Sequence, residues 1–190
     1  MQAFRTTALV LALGLSAFGA MAGEIADSNI NASNGSNRAT GLGASALQNI
    51  GVAEQNGRLR NSTINANGAR NSSTGLGSSA TQNIGVVRNN GQINNSTVNA
   101  TNATNSATGL GASATQSIGF AVNDGRIERS TITANNATNR STGLGSSATQ
   151  EIGGAANKGV LNNVTVVANG MANSSTGLGS SATQRVGVAR

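Results

Sequence analysis

The side chains in this sequence that could carry chemistry are carboxamides that recur at one interval. The chain contains no Cys and no His, and its six acidic residues are scattered. No nucleophile with an adjacent base, no metal-ligand cluster and no carboxylate pair can be built from them. The sequence therefore predicts that the protein is not an enzyme and holds no cofactor or metal. Glutamines, in contrast, recur with a constant period of 34 positions: Gln48, Gln82, Gln116, Gln150 and Gln184.

Buried glutamines in a column can satisfy one another's hydrogen-bonding groups if each side chain lies directly above the next. Each amide N–H then donates to the neighbouring carbonyl, as in the side-chain ladders of cross-β assemblies. Such a bond contributes roughly 0.5 to 1.5 kcal/mol, whereas an unpaired buried group costs about 1 to 3 kcal/mol. We predict that the glutamines lie inside and fix the register; in the alternative interpretation they point to solvent. A similar column is predicted at a bend: Asn37, Asn71, Asn105, Asn139 and Asn173.

The constant interval comes from a repeat that covers most of the chain. Asn, Ser, Thr, Gly and Ala dominate, and too few large apolar side chains are present to build an ordinary globular core. The strict period argues against disorder, and the poor helix propensity of these residues argues against a helical repeat. We therefore predict a stack of repeated units. Near-copies of the segment 74–85 begin at Thr40, Thr74, Thr108, Thr142 and Thr176.

Alternation of side-chain type predicts that each unit consists of strands. Apolar or small residues occupy alternate positions in 62–68 and 78–87 of the second copy, a period typical of strands with one buried face. The predicted fold is an all-β solenoid of stacked strand-turn-strand β-arches with cross-β ladders. The Asn-Gly and Asp-Gly pairs between copies are also hairpin signals, so an antiparallel meander is the competing arrangement. The five repeats are predicted at about 27–56, 57–90, 91–124, 125–158 and 159–190.

Stacking the copies turns each sequence position into a ladder of like residues. The first strand is predicted to stack Ile30, Ile64, Val98, Ile132 and Val166, and the second to stack Ile50, Ile84, Ile118, Ile152 and Val186. A Gly-Leu-Gly bend joins the strands, since paired glycines suit a tight turn. We predict that the leucines turn inward and close one end of the core. The bend residues are Gly41, Leu42, Gly43, Gly75, Leu76, Gly77, Gly109, Leu110, Gly111, Gly143, Leu144, Gly145, Gly177, Leu178 and Gly179.

The segment 1–22 has the layout of a secretory signal peptide. Arg5 precedes an apolar run, and small residues end the segment at Ala22; a membrane anchor, the alternative, would need a longer run. We predict a signal peptide over 1–22 and one repeat domain over 23–190, with no transmembrane span after signal removal. Basic residues do not line up in one column and stacking aromatics are missing, so no nucleic-acid partner is predicted.

The repeats resemble the subunits of curli-type functional amyloids. The resemblance rests on Ser-x-Ile-Asn-Ala on one strand and Ala-x-Gln-x-Ile-Gly on the other, and the stretch 83–86 is similar to the Fap biofilm amyloid. The repeat is longer than that of curli, and the aromatic residues of curli and the long linkers of Fap are missing. The resemblance implies secretion through an outer-membrane channel, fibre growth from a nucleator at a bacterial cell surface, and a role in biofilm and adhesion.

We expect a secreted, extracellular structural subunit that adds head to tail to copies of itself and forms amyloid-like fibres. The ladders carry no capping sequence and no Pro, one of the residues that usually block sheet edges. Two alternatives stay open: an adhesin stalk, and a monomeric solenoid that binds a lattice such as ice. The lattice binder would use outward threonines, namely Thr63, Thr97, Thr131 and Thr165 with Thr81, Thr115, Thr149 and Thr183.

Overall fold

The computed structural model describes residues 23–54 and 56–188, and the predicted signal peptide lies outside them. All regular structure in these ranges is β-strand, wound into five successive turns, and they contain no helix long and apolar enough to span a bilayer. The strands are, in the first turn, β1 (Glu24–Ala26), β2 (Asn29–Ser33), β3 (Ser36–Thr40) and β4 (Ser45–Ile50); in the second, β5 (Arg58–Arg60), β6 (Thr63–Asn67), β7 (Arg70–Thr74), β8 (Ser79–Ile84) and β9 (Val87–Arg88); in the third, β10 (Gln92–Asn94), β11 (Thr97–Thr101), β12 (Thr104–Thr108) and β13 (Ser113–Val122); in the fourth, β14 (Arg126–Glu128), β15 (Thr131–Asn135), β16 (Thr138–Thr142) and β17 (Ser147–Ala156); and in the fifth, β18 (Val160–Asn162), β19 (Thr165–Asn169), β20 (Ala172–Thr176) and β21 (Ser181–Val186).

Each turn contributes one strand to each of four parallel sheets. The first sheet contains β1, β5, β10, β14 and β18, the second β2, β6, β11, β15 and β19, and the third β3, β7, β12, β16 and β20. The fourth contains β4, β8, β13, β17 and β21, with β9 paired to β13. Each residue pairs with the equivalent residue one repeat away, as Gln82 does with Gln116. The predicted all-β solenoid is confirmed, and the parallel pairing excludes the antiparallel meander.

The prediction of two strands per turn is wrong, because strands also form in the stretches predicted as turn and bend. The predicted strand 62–68 corresponds to β6, and β5 and β7 lie on either side of it. Residues in the left-handed region separate these three short strands: Asn61, with φ of 48°, and Gly68, with φ of 66°. Both residue types tolerate this conformation. The strand of the fourth sheet returns along these three, so that the second predicted arm, 78–87, corresponds to β8 and β9.

The fourth strand bends inward at a glycine that the packing requires. Gly85 has φ of 62°, and a Cβ atom there would come within 2.6 Å of the Val98 side chain on the second sheet of the next turn. The same position is Gly in every turn. This close approach brings the fourth sheet onto the second and narrows the interior to one layer of aliphatic side chains.

The core consists of aliphatic columns that are closed in the middle turns. Ile64, Ile84 and Ile93 are fully buried, and the alanines of the strands fill the narrower parts of the interior. Leu59, on β5 of the first sheet, is also fully buried. Burial of these columns removes apolar surface from water in each turn only when another turn covers it.

A small apolar cluster outside the main core contains the single aromatic ring of the described residues. Val86, Phe120 and Ala156 form this cluster beside the bend in the fourth sheet. The residue paired with Phe120 in the next turn is Gly154, and a Cβ atom there would overlap the Phe120 ring. The ring therefore occupies space that only a glycine in the next turn leaves open.

Candidate functional site

The described residues do not assemble a site for metal chemistry. No group of three or more His, Cys, Asp or Glu side chains that could hold a metal occurs in residues 23–54 and 56–188. The features that repeat in every turn are two interior amide columns and a row of exposed leucines, and the described stack ends in two open edges. These features could recognise a partner that has the same repeat.

The glutamine column lies inside the solenoid. Gln82, Gln116 and Gln150 are 0% exposed, and Gln116 Nε2 donates to Gln82 Oε1 at 2.6 Å. Gln116 Nε2 also contacts the main-chain oxygen of Ala103 at 3.3 Å, an oxygen that already accepts the backbone N–H of Thr138. The glutamines thus bond chiefly to one another. The same bond joins the other turns: Gln82 to Gln48 at 2.7 Å, Gln150 to Gln116 at 2.6 Å and Gln184 to Gln150 at 3.1 Å.

The asparagine column is buried as well, but the prediction that it lies at a bend is wrong. Asn105 is in the middle of the third sheet, on β12, and is 0% exposed. Its Nδ2 donates to the main-chain oxygens of Ala80 and Thr115 on the fourth sheet, each at 2.9 Å, and to Asn139 Oδ1 at 2.9 Å. These bonds hold a strand in place where the sequence pattern suggested a loop. The other members are Asn37, Asn71, Asn139 and Asn173.

The two amide columns donate in opposite directions along the solenoid axis. Gln116 donates to Gln82, one turn toward the N-terminal end, whereas Asn105 donates to Asn139, one turn toward the C-terminal end. The main-chain oxygens that receive these amides can only accept hydrogen bonds, so they determine which side of each amide carries the N–H groups. In the described part of the chain, every buried side-chain nitrogen and oxygen has a partner. The interior therefore has a defined polarity.

Both ends of the described stack leave this pattern incomplete. Within residues 23–54 and 56–188, no turn lies below the first to accept from Gln48 or to donate to Asn37. In the same ranges no turn lies above the fifth to donate to Gln184 or to accept from Asn173. The strands β1 to β4 and β18 to β21 each have a sheet neighbour on one side only. Each end thus presents edge strands and a half-satisfied pair of amides.

The apolar columns also reach the surface at the ends. Ile64, Val98 and Ile132 are 0% exposed, whereas the end members of the same column, Ile30 and Val166, are only partly buried. In the other ladder Ile84 and Ile118 are 0% exposed, Ile152 is 1% exposed and Ile50 is 8% exposed, while Val186 is 43% exposed. Each end of the described stack therefore exposes part of the apolar core, which a further turn would cover.

The prediction that the bend leucines close the core is wrong, because all five point into solvent. Their exposed fractions are 84% for Leu42, 50% for Leu76, 51% for Leu110, 55% for Leu144 and 82% for Leu178. They form a continuous row along one edge of the solenoid, which we call the leucine edge. Parallel pairing on both sides of the bend places successive members about 4.8 Å apart.

Backbone geometry explains why these leucines cannot turn inward. Gly109 has φ of 145° and Gly111 has φ of 65°, and a Cβ atom on Gly109 would overlap the carbonyl oxygen of Gly75 below it. The two glycines reverse the chain around a single residue, which is left at the tip of the bend. A glycine on each side of one residue was the sequence signal that could have identified the exposed position.

Charged side chains make contacts between adjacent turns. Glu54 and Arg88, like Glu151 and Arg185, lie one period apart in sequence, whereas Arg60 and Glu24 are 36 positions apart. An exposed ion pair contributes only about 0 to 1 kcal/mol. Such pairs are compatible with stacking without driving it. In the described residues, the ion pairs are Arg60 with Glu24, Arg88 with Glu54 at 3.9 Å and Arg185 with Glu151 at 3.0 Å.

The threonine columns considered for lattice binding do not share a face. Thr63 and Thr97 lie on the second sheet, whereas Thr81 and Thr115 lie on the fourth. A regular lattice requires a flat array of several columns on one surface. The two columns therefore do not combine into one array.

No protein-family model, curated protein or solved structure matches this chain. The geometry of the chain itself therefore carries the functional inference. The distinctive elements of the described residues are the two open ends of their stack, the amide columns of opposite polarity that terminate there, and the leucine edge.

Proposed function

We propose that the protein is a structural subunit that adds end to end to copies of itself and forms a fibre. The observation that carries the proposal is that both ends of the described stack are open and present the same columns. Unpaired N–H and C=O groups on an edge strand are a template for a further strand. A head-to-tail contact that does not close on itself gives an open filament.

The residues at the two ends match column by column. If the fifth turn of one copy meets the first turn of the next, Gln184 lies over Gln48 and Asn173 over Asn37, residues that are four whole repeats apart in sequence. Like charges do not meet in this arrangement, since Arg185 faces an asparagine. The apolar columns continue through the joint as Val166 over Ile30 and Val186 over Ile50.

The polarity of the amides favours head-to-tail joints over head-to-head joints. In a head-to-tail joint Gln48 donates to Gln184, and Asn173 donates to Asn37, as in every internal pair of turns. A head-to-head joint would bring two Gln184 carbonyls, or two Gln48 amide groups, against each other. It would also reverse the strand direction across the joint, although all internal pairs are parallel. Head-to-tail stacking in this register therefore completes the hydrogen bonds of both amide columns and keeps the strands parallel across the joint.

We place this assembly outside the cell. The support is the signal-peptide pattern over 1–22. On the curli-like pattern we further propose export through an outer-membrane channel, growth from a nucleator at a bacterial surface, and a role of the fibre in biofilm and adhesion.

Fibre formation by the purified domain tests the proposal directly. Residues 23–190, kept at micromolar concentration without other components, are expected to show a lag and then fibres with a meridional X-ray reflection at about 4.8 Å along the fibre axis. Preformed fibres are expected to shorten the lag. A domain that stays monomeric at high concentration in analytical ultracentrifugation contradicts the proposal.

A pair of variants at one end separates assembly from folding. Val166→Lys places a charge in an apolar column that a further turn must cover, whereas Thr165→Lys places the same charge on the outward side of the same edge strand. We expect folded monomers from both variants by circular dichroism, and at least a tenfold slower elongation for Val166→Lys alone, because the buried charge lacks a partner. Equal elongation rates of the two variants would show that growth does not use this end.

A further inference from the structure

We propose that the leucine edge is the surface through which two fibres of this protein associate side by side. The inference rests on the proposed end-to-end assembly, because it concerns what the assembled fibre does next. Its occupant is a second copy of the same edge, contributed by a neighbouring fibre. The five leucines are the largest hydrophobic side chains left exposed at a recurring position of the described chain.

The leucine edge is held rigidly rather than displayed on a mobile loop. The backbone N–H of Gly75 donates to the carbonyl of Thr108 at 2.9 Å, and that of Gly77 to the carbonyl of Leu110 at 2.7 Å, so the bends continue the hydrogen-bonded stack. The same two bonds recur from turn to turn along the edge. The leucine side chains therefore keep the spacing of the turns, about 4.8 Å.

The residues that flank the leucine edge in sequence carry no charge to desolvate. The stretch 39–47 is Ala-Thr-Gly-Leu-Gly-Ala-Ser-Ala-Leu, and the corresponding stretches in the other four copies are also uncharged. Leu47, which is 56% exposed, extends the apolar surface in the first turn. Contact along this edge buries apolar and small hydroxyl side chains, and no ionised group of these stretches loses its hydration.

The area of the edge explains why it pairs fibres and not single subunits. Fully burying an exposed leucine side chain removes about 60 to 120 Å² from water, and the inner leucines of the edge are already half-buried, so one copy within a fibre offers roughly 150 to 300 Å². A stable interface buries about 800 Å² on each partner. About three to five copies joined end to end reach that area, while the entropic cost of associating two rigid bodies is incurred once. Lateral pairing is therefore expected only after end-to-end growth.

The regular spacing of the leucines identifies a second copy as the matching partner. A row of identical side chains spaced about 4.8 Å apart can interdigitate along its whole length only with a row of the same period. The leucine edge of another fibre has that period because it is built from the same repeat. A folded protein without the repeat would meet two or three leucines and then lose register.

Replacing the leucines of the middle turns tests the inference. The variant carries Leu76→Ser, Leu110→Ser and Leu144→Ser; its control carries Thr74→Ser, Thr108→Ser and Thr142→Ser, which alter side chains beside the same bends. Fibres of the purified wild-type protein are measured for mass per length by dark-field electron microscopy. We expect at least two solenoids per cross-section in wild type and control, one in the leucine variant, and equal seeded elongation rates in all three.

The outcomes separate this inference from the proposed function. Wild-type fibres that contain a single solenoid leave end-to-end assembly intact and overturn lateral pairing, as does a leucine variant with unchanged mass per length. A leucine variant that elongates at least tenfold more slowly also overturns it, since the edge would then serve growth itself. Wild-type protein that forms no fibres overturns both. Loss of binding to phosphatidylcholine vesicles without a change in mass per length would assign the edge to a lipid surface instead.

Discussion

The glutamine column and the leucine edge occupy positions opposite to those that side-chain hydropathy would assign. Gln116 is 0% exposed in the interior, while Leu110, only a few residues earlier, is 51% exposed at the tip of the bend. Both side chains recur once in every turn. The glutamine can be buried because another glutamine one turn away supplies its hydrogen-bonding partner. The leucine stays outside because the flanking glycines leave it no inward direction.

The difference shows that stacking changes what the interior of a small protein can contain. A polar side chain is acceptable inside when a repeated copy satisfies it, so the hydrogen-bond pattern of the column matters more than the polarity of the residue. An apolar side chain is directed by the backbone conformation next to it. Variants that disturb the bend or one of the interior amide columns test this comparison, and the expected loss of stability is largest for the bend.

The largest loss of stability is expected from a methyl group in the stacked bend. Gly109→Ala places a Cβ atom on the carbonyl of Gly75, whereas Gly111→Ala has no neighbour within 4 Å and suffers only from its positive φ. We expect Gly109→Ala to lose more than about 4 kcal/mol, and Gly111→Ala about 1 to 2 kcal/mol. Urea unfolding of the monomer by circular dichroism measures both values. Similar losses from the two variants would show that the bends are not in contact.

A smaller loss is expected when an interior asparagine is removed. Asn105 hydrogen-bonds with Ala80, Thr115, Asn71 and Asn139, and the two N–H groups of its amide are shared among three of these acceptors. Counted as two donated bonds and one accepted bond at about 0.5 to 1.5 kcal/mol each, Asn105→Ala should destabilise the fold by about 1.5 to 4.5 kcal/mol.

The matched control for this variant makes the same change on the outward side of the neighbouring sheet. Asn99 bonds to Asn65 at the surface, at 2.9 Å, so Asn99→Ala should change the free energy of unfolding by less than about 0.5 kcal/mol. The unfolding midpoints of the two variants in urea give the comparison. If Asn99→Ala costs as much as Asn105→Ala, burial of the asparagine column is not what stabilises the third sheet.

We expect the free energy of unfolding lost per glutamine to be smaller when several glutamines of the column are replaced together than when one is replaced alone. Gln116→Leu breaks three hydrogen bonds and leaves the amides of Gln82 and Gln150 half-satisfied, which should cost about 1.5 to 4.5 kcal/mol. Replacing Gln82, Gln116 and Gln150 together by leucine removes the partners as well, and the Ala103 carbonyl keeps its backbone donor.

The triple variant should therefore lose less than three times the free energy lost by Gln116→Leu. Equilibrium unfolding of single and triple variants provides the test, with Thr115→Ala as the outward control. Strict additivity would mean that the glutamines act separately and do not form a ladder.

The period and the two main strands of each turn could be predicted because their side chains alternate. The stretch 62–68 has Ile64 and Ala66 on one side, and Ala80, Gln82 and Ile84 follow the same rule in the fourth sheet. The inward positions of these strands are buried in the structure. Identical spacing in five copies favoured parallel stacking, and the observed pairing excludes the antiparallel alternative.

The third sheet could not be recognised because its inward residues are polar. In β7, Arg-Asn-Ser-Ser-Thr, the buried positions are Asn71 and Ser73, and no apolar alternation separates this strand from a loop. Its inward asparagine is satisfied by the fourth sheet, as in the bond of 2.9 Å from Asn71 Nδ2 to the Thr81 carbonyl. The short strand Arg58–Arg60 has a single inward residue, Leu59, too few to define a period.

Phe120 and Gly154 give the turns an order that the rest of the sequence does not supply. Because most columns repeat the same residue, the turns are nearly interchangeable, and a chain could exchange turns with another copy or slip by a whole period during folding. If a turn other than a fourth turn follows the third, the Phe120 ring meets Val52, Val86, Val188 or the Phe120 of another copy instead of the glycine whose missing side chain makes room for it. The Phe120 ring and the missing side chain of Gly154 thus favour the arrangement in which the fourth turn follows the third.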